Sequence, residues 1–212
     1  MEEITVTATK REQSIQDVPI AVSAFTSEDL ERSGIQDLEQ LQQVAPSLFI
    51  NTTNSVSGGG TMRVRGIGTT GNNLGLEAAV GSFLDGVYVP RSGLALGDLV
   101  DVERVELLRG PQGTLFWKNT VAGALNIITK VPEFEWDGGF SMSYGSSDTR
   151  RFKGAITGPL IDEELAFRFA LSGNWADGCS EDIASSDEFA DFDRKTARLQ
   201  FLWTPMDNLN VR

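Results

Sequence analysis

The chain has 212 residues, with 18 Lys and Arg against 30 Asp and Glu, no His and one Cys. Its net charge of -12 argues against a nucleic-acid partner, which demands a basic face. Without His and with only Cys179, a Ser-His-Asp triad, the usual zinc sets and an internal disulfide are excluded.

Cys179 is therefore either a free thiol or half of a bridge to a residue beyond 212. Apolar residues make up 40%, which suits one compact domain plus a remnant, or two small domains, rather than disorder. No run of about 18 apolar residues is present, so no transmembrane helix is expected, although alternating barrel strands would escape that test. Met1-Glu2-Glu3 is not the basic start of a signal peptide, so either the chain is soluble or a leader has been removed.

Residues 1–18 are polar except for a β-branched island, Ile4-Thr5-Val6-Thr7-Ala8. It reads either as a frayed terminus or as an exposed strand available to a partner's sheet edge. Val18 to Phe25 predicts a strand. Thr26 or Ser27 then caps a short helix with Glu28 and Asp29 in its first turn and Gly34 at its end. A second short helix is expected over about Asp37 to Val44, with Leu38 and Leu41 on one face and Pro46 as the stop. Strands follow at Phe49-Ile50, Met62 to Arg65, Val80 to Leu84, Val87 to Val89, Val102 to Leu108 and Ala124 to Thr129. Asp85-Gly86 marks a hairpin.

Gly66-Ile67-Gly68-Thr69-Thr70-Gly71 has the spacing of a dinucleotide site, but Asn72-Asn73-Leu74-Gly75 after it is turn chemistry, not the helix that site needs. Gly110 to Lys118 lacks the Gly-Lys-Ser/Thr of a phosphate loop. No nucleophile–base pair stands out, so no catalytic, cofactor or metal residue is assigned. The acidic run from Asp177 to Asp193 does not match an EF-hand and reads as a solvated loop.

After Pro132 the period becomes two. Phe134, Trp136, Phe140, Met142 and Tyr144 alternate with Glu135, Asp137, Ser141 and Ser143. Phe152 to Leu160, Leu165 to Trp175 and Ala197 to Trp203 repeat the alternation, and Leu209 begins a fifth run. Tight turns at Pro159 to Glu164 and Thr204 to Asn208 lie opposite a long loop from Ala176 to Asp193, the pattern of an outer-membrane barrel. A soluble antiparallel sheet packed on one face has the same period.

Three stretches together resemble the TonB-dependent receptor family. Glu3 to Ala8 is similar to the TonB box, and Asp17 to Pro46 to the opening of the plug domain. The third runs from Asp101 through Arg109-Gly110-Pro111-Gln112-Gly113-Thr114-Leu115-Phe116 and Asn119 to Gly123 and Lys130. Arg63 to Gly66 and Phe83 to Tyr88 match in order, while Trp117 and Ala122 stand where the family usually has Gly.

The resemblance implies an α+β plug domain followed by antiparallel strands of an incomplete transmembrane β-barrel. The expected divisions are 1–16 with the TonB box, 17–132 as plug and 133–212 as the first four to five strands. A barrel of 22 strands at about 9–11 residues each needs roughly 220 residues for its strands alone, so this chain by itself is expected not to transport.

The implied function is energy-coupled uptake of a scarce nutrient, a ferric siderophore first, across the Gram-negative outer membrane. The implied partners are TonB, gripping Ile4, Thr5, Val6, Thr7 and Ala8, and outer-membrane lipid. Arg65 and Arg109 are expected to pair with carboxylates on the barrel wall, and Asn72, Asn73 and Arg91 to face the ligand. The competing reading is a plug-like soluble signalling or docking module that forms no pore.

Overall fold

A computed structural model describes residues 5–8, 10–11, 13–52, 60–69, 77–90, 98–116, 120–146, 148–176, 180–181, 188–189, 192–206 and 209–212. The chain divides into two compact units, Met1–Thr129 and Lys130–Arg212.

In the first unit, β1 (Thr5–Val6) and β2 (Gln13–Ser14) form a small antiparallel pair. Then come β3 (Val22–Thr26), α1 (Ser27–Arg32), a single 3-10 turn (Gln40–Gln43), β4 (Leu48–Thr52), β5 (Gly60–Val64) and β6 (Ile67–Gly68). β7 (Val80–Leu84), β8 (Val87–Val89), β9 (Val102–Arg109), the helical turn α2 (Gly113–Phe116) and β10 (Gly123–Thr129) complete it.

Five strands build the central sheet in the order β3-β9-β10-β7-β8; all its neighbours are antiparallel except β10 and β7. Strands β4, β5 and β6 form a separate sheet.

Local chemistry accounts for most of these ends. The Thr26 side chain accepts from the Asp29 amide, and Asp29 answers by accepting from the Thr26 amide, a capping box that fixes the start of α1. Those hydrogen bonds, the Thr26 hydroxyl first, hold the Asp29 carboxyl below its usual range. The expected second helix is only one 3-10 turn. Asp37 Oδ1 caps the Gln40 amide, Leu38 and Leu41 are buried, and Ala45-Pro46 follows at once, leaving no room for a longer run. Strand β3 begins at Val22, four residues after the predicted start. Asp85 and Gly86 both take positive φ (49° and 80°), the turn conformation that matches strand twist in a two-residue hairpin.

Alternation in the central sheet creates two buried faces. Val80, Val105, Leu107, Leu125 and Ile127 face the layer formed by α1, the 3-10 turn and the small sheet, with Leu30, Leu41, Ile50 and Val64. Phe83, Leu108, Ala124 and Phe116 gather with Val6, Ala8 and Val18 of the N-terminal segment in a second cluster.

The second unit is an open antiparallel sheet. β11 (Asp137–Tyr144), β12 (Arg150–Ile161), β13 (Leu165–Ala176), β16 (Phe192–Met206) and β17 (Leu209–Val211) pair in that order, while β14 (Ser180–Glu181) and β15 (Glu188–Phe189) form a hairpin between β13 and β16. Strand β11 starts at Asp137, so Phe134 lies in a bend before it rather than in the strand. Strand β12 runs to Ile161, past Pro159, and a register shift between these residues accommodates the missing proline N–H.

The Tyr144 hydroxyl donates to Asp148 across the β11–β12 turn and, with Arg150, keeps that carboxyl below its usual range. The next turn is tied to β16 by Thr204, whose hydroxyl donates to the Glu163 carbonyl at 2.9 Å.

Candidate functional site: the N-terminal segment and the central sheet

The N-terminal island is not the exposed strand expected from the sequence. Thr5 and Val6 already pair with Ser14 and Gln13, and Val6 and Ala8 are each 0% exposed. Burying a Val side chain is worth about 1.5–3 kcal/mol, which is why this greasy stretch folds back onto Phe83, Leu108, Phe116 and Ala124 rather than fraying. Lys10, at φ 61°, closes the turn after it, with its Nζ 4.7 Å from the centre of the Phe116 ring. Ile4 lies outside the described residues.

Thr7 anchors the segment through charge. Its amide donates to Glu106 Oε1 at 2.7 Å, and its hydroxyl lies 3.2 Å from both oxygens of the same carboxylate. Glu106 sits in β9 between its register partners Ala24 and Asn126, and is itself 0% exposed. Arg104, two residues away on the same face, donates from Nε to Glu106 Oε1 at 2.9 Å and also pairs with Glu103. Asn126 Nδ2 donates to Thr7 Oγ1 and to Glu106 Oε2, both at 3.3 Å.

Sequence reasoning missed this cluster. Its signal was a carboxylate and a guanidinium two apart, Arg104 and Glu106, alternating with Val105 and Leu107, which puts both on one sheet face.

Arg65 occupies the turn between β5 and β6 at φ 53° and is exposed; its amide donates to the Ser47 carbonyl. Arg109 ends β9, where its amide binds the Ala21 carbonyl and its guanidinium donates to Val22 O at 3.2 Å. Each precedes a glycine with positive φ, Gly66 at 79° and Gly110 at 95°. The two turns are held in register through Gly123. It pairs with Arg109, and an added Cβ would make ordinary contact with Val64 Cγ2 at 3.4 Å but stand 2.4 Å from the Leu108 carbonyl oxygen.

Asn72, Asn73, Arg91, Trp117 and Cys179 lie outside the described residues. Within the Gly66–Gly71 motif, Ile67–Gly68 forms β6, after the turn at Gly66. Ala122 is buried, and its amide donates to the Ala79 carbonyl.

The second unit separates its chemistry by face. On one face the register aligns Phe140 with Gly154, Leu171 and Ala197, then Ile156 with Phe169 and Leu199. Several strand glycines sit beneath aromatic rings. A Cβ on Gly158 would lie 2.6 Å from the Trp136 ring, and one on Gly173 would lie 2.4 Å from Phe152 and Trp175. Trp136 and Trp203 lie toward one end of this apolar face, and Tyr144 and Trp175 toward the other.

The opposite face carries Arg151, Lys153, Arg168, Arg194 and Arg198 among Ser141, Ser172 and Asn174. The lead-in crosses this polar face. The Glu133 amide donates to Thr157 Oγ1, and Arg168 donates to the Val131 carbonyl.

A plug-like sheet with a stowed extended terminus, followed by strands that are greasy on one face and polar on the other, defines the plug and early wall of a barrel receptor. The family model described as TonB-dependent Receptor Plug Domain matches residues 14–124, and the chain belongs to that family.

It is 31% identical over 161 residues to the pesticin receptor of Yersinia pestis, covering 75% of this chain and 23% of the relative. It is 29% identical over 188 residues to the ferrienterobactin receptor of Escherichia coli, covering 80% and 24%. The crystal structure of the ferric yersiniabactin uptake receptor from Yersinia pestis superposes with a TM-score of 0.77 at 28% identity, covering 89% of this chain and 29% of that one. The chain thus spans about a quarter of the length of these relatives. Its relatives are outer-membrane receptors of Gram-negative bacteria, and that membrane is its location.

Proposed function

We propose that the full-length protein is an energy-coupled outer-membrane transporter for a ferric siderophore, driven by TonB acting on residues 4–8. The observation that carries this reading is the N-terminal segment. It is short, extended and β-branched, it is docked on the plug rather than built into it, and it can present a backbone edge to a partner strand. The siderophore class is supported by relatives described as ferrienterobactin and ferric yersiniabactin receptors. The apolar face of the second unit meets lipid and its basic face lines the lumen. Asn72, Asn73 and Arg91 remain the proposed ligand contacts. The loop containing Cys179 is assigned to the outside, opposite the short turns. The apolar lipid-type face disfavours a soluble docking module, which would have to cover it.

Val6→Pro removes a strand N–H and fixes φ. In the full-length receptor, uptake of radiolabelled ferric siderophore falls to background while siderophore binding at the cell surface persists. Unchanged uptake contradicts the TonB assignment.

Arg65 and Arg109 are proposed to fasten the plug to barrel-wall carboxylates. The inward face of β12, β13 and β16 is basic, so their partners lie elsewhere on the wall. Removing one member of a buried pair costs about 3–5 kcal/mol, against about 0–1 for an exposed one. Arg65→Ala with Arg109→Ala therefore loosens the plug, measured as urea-accelerated release and antibiotic leakage through the barrel. Unaltered plug retention and transport remove the fastening role.

A further inference from the structure

We propose that Glu106 is a latch that holds the N-terminal segment on the plug, and that opening it controls when the segment becomes available to a partner strand. The consequence for TonB rests on reading residues 4–8 as the TonB contact; the latch itself does not.

Four donor groups converge on the Glu106 carboxylate. The Thr7 amide and hydroxyl come from the segment, while Arg104 Nε and Asn126 Nδ2 come from the sheet. The segment is thus fastened to a residue 99 positions away in the chain by charge-assisted bonds, about twice as strong as neutral ones. Around this anchor, the side chains of residues 5–8 that enter the apolar cluster are Val6 and Ala8, with Lys10 resting on Phe116.

A buried ion pair is a poor way to gain stability, because desolvation offsets most of the Coulomb attraction, and well-packed apolar residues usually serve as well. It does keep a charged acceptor in the sheet, on which the neutral Thr7 can dock and from which it can leave. Once the segment leaves, water reaches the carboxylate and replaces the two lost donors, whereas Arg104 and Asn126 stay in place on β9 and β10. The closed state also occupies one edge of the segment, because Thr5 and Val6 are paired with Ser14 and Gln13. A partner strand that takes that edge competes with this internal pairing.

Glu106→Gln tests the idea with minimal change of shape. An amide side chain has one acceptor oxygen and brings two donors of its own, so it cannot satisfy all four groups. In the full-length receptor in lipid nanodiscs, without siderophore or TonB, hydrogen exchange of the peptide covering residues 5–8 speeds up by about ten-fold or more in Glu106→Gln. Thr7→Val keeps the amide bond but loses the hydroxyl contacts, leaves the buried cluster intact, and gives a smaller increase. Glu103→Gln, beside Arg104 but without contact to Thr7, leaves exchange unchanged.

Purified TonB periplasmic domain, added to the same samples, binds Glu106→Gln more tightly than wild type. Wild-type protection in both Glu106→Gln and Thr7→Val overturns the latch, as does an equal increase in Glu103→Gln. If Glu106→Gln does not fold, Thr7→Val alone decides by the same measure. Faster exchange with unchanged TonB affinity keeps the latch and overturns the TonB assignment.

Discussion

Phe140→Arg lowers the stability of the full-length receptor in lipid vesicles by about 2–4 kcal/mol, whereas Ser141→Arg, one residue along β11, costs far less. Phe140 is 71% exposed and shares its row with Gly154, Leu171 and Ala197, the middle of the apolar face. A guanidinium placed there must leave water for hydrocarbon. Ser141 is exposed and points the other way, into the row of Lys153, Ser172 and Thr196, where an added cation meets polar neighbours and one like charge. Equilibrium unfolding in urea, followed by tryptophan fluorescence, measures both. Equal losses at the two sites would mean that the faces are not divided between lipid and lumen.

Gly123→Ala destabilises the plug by at least the upper part of the roughly 1–3 kcal/mol usual for overpacking. Its Cβ would stand 2.4 Å from the Leu108 carbonyl oxygen, a backbone atom that cannot swing aside, and 3.4 Å from Val64. Relief requires β9 and β10 to separate at the register pair Gly123–Arg109. That movement displaces the turn that carries Arg109, so plug fastening weakens with stability. Hydrogen exchange across residues 102–129 reports the loss. Unchanged protection there would show that the sheet absorbs a methyl group at this point, and that the close approach is not required.

Much of this architecture was legible because it follows from local chemistry. Alternation in Arg150–Ile161, Leu165–Ala176 and Phe192–Met206 is a period-two signal, and the two faces in the register are those it implies. Asp85-Gly86 announced its hairpin because only a few residues accept positive φ at both positions. The family resemblance in Asp101 to Lys130 pointed to the plug as a whole.

What stayed hidden depends on partners distant in the chain. The parallel pairing of β7 with β10 leaves no local mark. The island at Thr5 to Ala8 read as exposed because nothing in its own composition names Phe83, Leu108 and Phe116 as its cover. The role of Glu106 depends on Thr7 and Asn126, which lie 99 and 20 positions away in the chain.

Inward movement of a ferric siderophore by the full-length protein, with energy supplied through TonB, is the proposed function. Its most direct test is uptake of radiolabelled iron, presented as a panel of catecholate and phenolate siderophores, by cells expressing the full-length receptor with and without TonB. Uptake of at least one siderophore that disappears with TonB, while surface binding of that siderophore remains, is the expected result. Uptake of equal rate in both strains would contradict it.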